Sequence, residues 1–169
     1  LKCVNCHQRD GEGYFLEKLH PQTEHLIANA EAEDKPGHFS FAPQIDWIGE
    51  KLHASWMEKL FAGKLEYRSR PWGHARMPLF ASRAKWLADG FAQSHGIRPD
   101  TATAKPTLEH GDLGKKMVGV QGGFGCVTCH AVGDQKAVAV FEGQGVNLLF
   151  SKDRMRYDFY MRWMRDPKP

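Results

Sequence analysis

Cysteine is scarce and confined: the chain has four, at positions 3, 6, 126 and 129, and none elsewhere. With none to spare, a lone reactive thiol is excluded, and so is a disulfide framework built from further cysteines. Long apolar runs are missing as well. No stretch approaches the roughly 18 apolar residues a bilayer span requires. Nor is there a charged start followed by a short apolar core, so any export signal is expected to have been removed or to lie outside this segment. An excess of one charge is absent too, with 23 Lys and Arg against 20 Asp and Glu for a net +3. The basic residues are scattered except for Lys152, Arg154, Arg156, Arg162 and Arg165, which read as a solvated helix face or a docking patch, so nothing points to nucleic acid. At 169 residues with 41% apolar content, a packed protein of one ordinary or two small domains is expected.

What is present is a repeated string. Cys3, Cys6 and His7 lie in KCVNCHQ, and Cys126, Cys129 and His130 repeat the arrangement in CVTCH. In C-x-x-C-H the two thiols are spaced to add across the two vinyl groups of one haem, and the adjacent histidine comes up beneath the iron as proximal ligand. Two strings imply two c-type haems. Three other readings compete. A four-cysteine zinc site normally has its pairs about 15 to 20 residues apart, whereas these lie more than a hundred apart. A thioredoxin-like pair accompanies a βαβ pattern, which the sequence does not show. Inter-loop disulfides leave the histidine after both pairs unexplained.

Periodicity predicts an all-α fold. Asp46 can cap a helix with Ile48, Leu52, Trp56 and Leu60 on one face, ending at Gly63. Phe80, Ala84, Leu87 and Phe91 mark a second helix. Asp112 can cap a third, with Leu113, Met117, Val120 and Phe124 on one face. A fourth is expected from about Asp153 to Arg165, grouping Tyr157, Tyr160, Met161 and Met164, with Pro167 as a stop. SHGIRPDTATAKPTLEHG, rich in Gly, Pro and Thr, reads as a linker. The expected organisation is a first domain at 1–95, a linker at 96–111 and a second domain at 112–169.

The halves match in outline: a haem string, a long glycine-bearing loop, then a Trp-Met helix, ASWMEKL in the first and MRWMRDP in the second. With ARMPLFASRAKWLADGF, a Met-Pro loop before a helix, each half resembles a class I cytochrome c domain, and the pair resembles a dihaem cytochrome c. The resemblance implies that Met77 is the distal ligand of the first haem. A soft thioether favours ferrous iron and raises the potential relative to two histidines; the competing reading is a core methionine. FAPQI is similar to the family segment whose proline carbonyl accepts the proximal imidazole N–H, which implies that Pro43 orients His7. QGVNL stands there in the second half, without a proline.

No second distal ligand is evident. Aligning Trp163 with Trp56 puts a counterpart of Met77 beyond position 169, matches Met164 to Met57, and leaves Met155 as a candidate and Met161 and Met164 as core. The first domain is thus expected to lack its N-terminal helix and the second its C-terminal part, as in a segment of a longer chain. Arg70 and Trp72, with Arg68 and Arg76, surround the Met77 loop. Their N–H groups suit haem propionates, with surface solvation as the alternative. Of the seven other histidines, His20, His25, His38, His53, His74, His95 and His110, most are expected to be solvated loop residues, with His74 nearest Met77. GVQGGFGC lacks nucleotide-loop spacing, so Gly119, Gly122 and Gly123 are expected to serve close packing.

These readings point to an exported electron-transfer protein or domain whose partner is a redox protein or a fused redox enzyme. The alternatives are a dihaem peroxidase-like enzyme or a haem-based sensor, each with an open distal side at the second haem.

Overall fold

The computed structural model describes residues 1–13, 42–69, 71, 77–99, 110–140 and 144–167. Among these residues the fold is all-α, with isolated bridges in place of strands. Six helices are formed: α1 (Ile48–Lys51), α2 (Ala54–Phe61), α3 (Ala84–Ser94), α4 (Gly111–Val118), α5 (Ser151–Arg154) and α6 (Tyr157–Arg165). The chain divides into two compact units. The first is Leu1–Ile48 with Trp72–Pro78; the second is Gly49–Pro71 with Leu79–Pro169.

The core of the second unit is the packing of α2 on α3. Ala54, Trp56, Met57 and Phe61 are buried from α2. Ala84, Ala88 and Ala92, spaced i, i+4, i+8, are buried from α3. The alanine stripe lets the backbones approach, so the inner face of α3 is shifted from the expected Leu87/Phe91 stripe; those two are half-buried. Phe91 still meets Phe61 at 6.0 Å between ring centroids. Met57 is wholly enclosed, and removing such a side chain typically costs about 2–5 kcal/mol. At the end of α2, Gly63 takes φ +70°. Gly63 N–H donates to Leu60 O (3.1 Å) and Lys64 N–H to Lys59 O (2.8 Å), the paired bonds of a glycine-terminated helix. The expected stop at Gly63 is therefore the observed one.

Two expected helices are each broken in two. The Asp46–Gly63 helix forms as α1 and α2, interrupted at Leu52 and His53, and the Asp153–Arg165 helix as α5 and α6, interrupted at Met155 and Arg156. The breaks pair with each other. Leu52 and Met155 form an antiparallel bridge, His53 N–H donates to Arg154 O (3.0 Å) and Arg156 N–H to Lys51 O (2.9 Å). Each donor is two residues beyond the acceptor of its own segment, so the motif short helix, bridge, N-cap, long helix occurs twice about a local two-fold. This register matches Trp56 with Phe159, both buried. It corrects the expected pairing of Trp56 with Trp163. The inner face of α6 is correspondingly Phe159 with half-buried Trp163, while Tyr157, Tyr160 and Met164 face outward. Lys51 Nζ lies 5.5 and 5.7 Å from the Phe159 and Trp163 ring centroids, and Arg162 donates to Glu50 Oε1 at 2.8 Å.

Helix α4 begins one residue before Asp112 and is preceded by His110 at the N-cap. Its expected apolar face is exposed at Leu113, Met117, Val120 and Phe124. Gly123 folds back on the helix end, where an added Cβ would strike the carbonyls of Lys116, Gly119 and Met117. Most of the expected linker, residues 100–109, lies outside the described residues.

Candidate functional site

Each Cys-x-x-Cys-His string folds as one tight turn. Cys3–Asn5 and Cys126–Thr128 are single 3₁₀ turns, which the short i→i+3 ring permits over so few residues. Both turns are entered through a left-handed residue, Lys2 (φ 54°) and Gly125 (φ 70°). Cys3 O accepts from Cys6 N–H (3.1 Å) and His7 N–H (2.8 Å); Cys126 O accepts from Cys129 N–H (3.3 Å) and His130 N–H (3.0 Å). All four thiols are free, so neither pair is a disulfide.

The histidines are held alike. His7 Nδ1 is 2.7 Å from Pro43 O, and His130 Nδ1 is 2.7 Å from Val146 O. A carbonyl only accepts, so Nδ1 carries the proton in each ring and, in the neutral imidazole, Nε2 keeps its lone pair. A hydrogen bond of this kind fixes the tautomer and raises the basicity of the far nitrogen, which is what a metal-ligating imidazole needs. The bond expected between Pro43 and His7 is present. In the second half the same bond is made without proline, because the acceptor is backbone and any residue carries one.

The segments supplying those carbonyls are registered on the turns by a second equivalent bond. Ile45 N–H donates to Gln8 O (3.0 Å) and Leu148 N–H to Ala131 O (2.9 Å). Past each histidine the chain makes the same tight bridge, Arg9 with Glu12 and Val132 with Gln135. A left-handed residue stands three after each histidine, Asp10 (φ 54°) and Gly133 (φ 60°). Its N–H is taken by a side chain from the carbonyl-bearing segment, Asp46 Oδ1 in the first case and Asn147 Oδ1 in the second. Asn147 also donates from Nδ2 to Gly133 O (2.7 Å) and accepts from Leu149 N–H (3.0 Å), capping the Leu148–Phe150 turn. Gly145 lies directly against His130, where a Cβ would overlap the imidazole. Asp46, expected as a helix cap, thus has a role on the first turn.

Met77 is half-buried and belongs to the same compact unit as His7 and Pro43. Arg70 and Trp72, with His74 and Arg76, lie outside the described residues. Arg68 donates from Nη1 to Pro71 O at 3.2 Å. In the second unit Met155 Sδ is 3.8 Å from Arg154 Nη2, and its backbone is committed to the bridge with Leu52. Met161 is half-buried on α6. Trp56 Nε1–H donates to Tyr67 Oη (2.8 Å), and the Tyr67 ring stacks on Phe150 at 3.6 Å.

The sequence does not single out Val146, Gly145 or Asn147. Asn147 was readable as a cap before LLF. His53, expected among the solvated histidines, is buried. Burial first, and then the Arg156 guanidinium, hold its pKa below the ordinary imidazole value, against a hydrogen bond with the Met155 backbone and the Asp153 carboxylate, which raise it. His95 is half-buried with Nδ1 3.0 Å from Phe91 O, and His110 is exposed. His20, His25 and His38 lie outside the described residues.

No protein-family model matches the chain, and no curated protein or solved structure is matched either.

Proposed function

We propose that the chain carries two covalent c-type haems and serves in electron transfer, as a pair of class I cytochrome c-like domains. The observation that supports this best is the twice-repeated histidine geometry: Nδ1–H bound to a backbone carbonyl and Nε2 directed to accept a metal, each beside two free thiols. Among the described residues no three His, Cys, Asp or Glu side chains converge as an ion site.

On this reading Cys3 and Cys6, and Cys126 and Cys129, form the thioether anchors. His7 and His130 are the proximal ligands, oriented by Pro43 O and Val146 O. Met77 closes the first site from the distal side, and Arg70 and Trp72 bind propionates. The haem supplies one-electron chemistry; the protein fixes the ligands, excludes water and leaves an edge for a redox partner. An exported location, where such haems are attached, goes with this reading, as does a role within a larger redox enzyme or respiratory complex. No helix among the described residues is long and apolar enough to cross a membrane.

One observation favours a second reading for the second site. Met155, its candidate distal ligand, is engaged by Arg154 and by the backbone bridge. An open distal side there would suit a peroxidase-like or sensing role. Visible spectra of the purified chain, ferric and ferrous, with and without carbon monoxide, separate the two. Two low-spin haems indifferent to carbon monoxide support electron transfer; a high-spin fraction that binds it supports the alternative. Met77→Ala is expected to abolish the weak ferric band at the red end that marks sulfur–iron ligation, and its unchanged survival would remove Met77 from the ligand set.

A further inference from the structure

The paired breaks in the second unit bury two basic side chains at equivalent positions. His53 precedes α2 with φ −65° and ψ 136°; Arg156 precedes α6 with φ −67° and ψ 139°. Their backbones make the two reciprocal bonds of the joint, and both side chains are buried, at 9% and 6% exposure. Their chemistry differs. Arg156 Nε donates to the carbonyls of Gly49 (3.2 Å) and Leu52 (3.0 Å), so this guanidinium is built into the joint. His53 Nε2 is buried with no hydrogen-bond partner. A neutral imidazole tolerates that as an unfilled acceptor. An imidazolium would place an unsatisfied, charged N–H beside a second buried cation, and removing a charge from water without a partner is the costlier case.

We propose that His53 is a proton-sensitive pin: neutral, it lets the two backbone segments pair; protonated, it opens the joint between α1–α2 and α5–α6. The charges acting on it are Arg156, which opposes its protonation, and Asp153 on α5, which favours it. The other charged groups of the joint are directed elsewhere. Lys51 lies over the Phe159 and Trp163 rings, Glu50 is paired with Arg162, and Arg154 reaches Met155 Sδ. Burial and Arg156 outweigh the hydrogen bond with the Met155 backbone and the Asp153 carboxylate, so the closed joint binds protons less readily than the open one. Its stability is complete above the ordinary imidazole value of about 6.5 and is lost as the pH falls toward the lower closed-state value. None of these residues belongs to either histidine turn, and Met155, the candidate ligand named above, enters the joint through its backbone.

The test is amide hydrogen exchange of the full chain, with the cofactor it is purified with, from about pH 8 to about pH 5. Rates are corrected for the intrinsic pH dependence of exchange. The His53 and Arg156 amides are expected to lose protection several-fold toward acid, while the Ile97 amide, bonded to Ala92 O at the end of α3, does not. In His53→Gln the acid loss disappears. Protection that is flat in the wild type, or that falls equally in His53→Gln, overturns the proposal. If His53→Gln does not fold, nitrogen-15 NMR of the wild-type imidazole decides: titration below about 6.5 upholds the pin, and titration at or above it refutes it.

Discussion

The two Cys-x-x-Cys-His turns share one hydrogen-bond plan and satisfy it with different residues. In the second turn, glycine occupies both left-handed positions, Gly125 and Gly133; in the first, Lys2 and Asp10 do. A non-glycine residue in that conformation costs about 1–2 kcal/mol, less for Asp, whose short side chain bonds locally. The residue inside the turn differs as well: Val127 is 7% exposed and Val4 36%. The second turn is thus better relaxed and better packed. Among the contacts both keep is the imidazole N–H bound to a backbone carbonyl, which different residues can supply because the acceptor is main chain.

The largest expected effect comes from removing each turn's anchors. Cys3→Ala with Cys6→Ala, and separately Cys126→Ala with Cys129→Ala, should each leave one covalent haem in place of two by denaturing mass spectrometry. The second pair should lower the melting temperature more, because its turn is tied into the packed second unit. Equal losses of stability would break the contrast between the turns. Next is Gly145→Ala, which drives a Cβ into the His130 ring and should cost about 1–3 kcal/mol in urea unfolding, as overpacking does. Ala42 holds the corresponding position before Pro43 and already carries a Cβ. Ala42→Gly should therefore cost no more than about 1 kcal/mol.

Asn147→Ala removes a cap and two bonds to Gly133, for an expected loss of about 0.5–2 kcal/mol. The smallest effect is Asp10→Gly. It relieves the left-handed strain but forfeits a surface ion pair with Arg9, itself worth about 0–1 kcal/mol. A net gain below about 1 kcal/mol is expected from the same unfolding measurement.

These sites also mark how far the sequence could be read. Local, repeated chemistry was legible: the strings themselves, the Gly63 stop and the all-α character follow from spacing or turn chemistry within a few residues, whereas the Pro43 carbonyl, 36 residues from His7, was expected only through the resemblance of FAPQI to a family segment. Val146 was not, because a backbone acceptor leaves no side-chain signature. The breaks at His53 and Arg156 were not, because their cause is pairing between segments about a hundred residues apart in sequence, and each window taken alone keeps unbroken helical periodicity. His53 was misread as solvated for the same reason: the far segment, through the Arg154 carbonyl, the Met155 backbone and Arg156, is brought against it. Of the inner face of α3, Ala84 was in the expected stripe, while Ala88 and Ala92 escaped because alanine, the residue that allows α2 to approach, carries little hydrophobic signal.

The most direct test of the central claim is the mass of the purified full chain under denaturing conditions. Two covalent haems added to the polypeptide mass, lost one at a time with each cysteine pair, is the result predicted here. A colourless protein with the mass of its amino acids alone would contradict it.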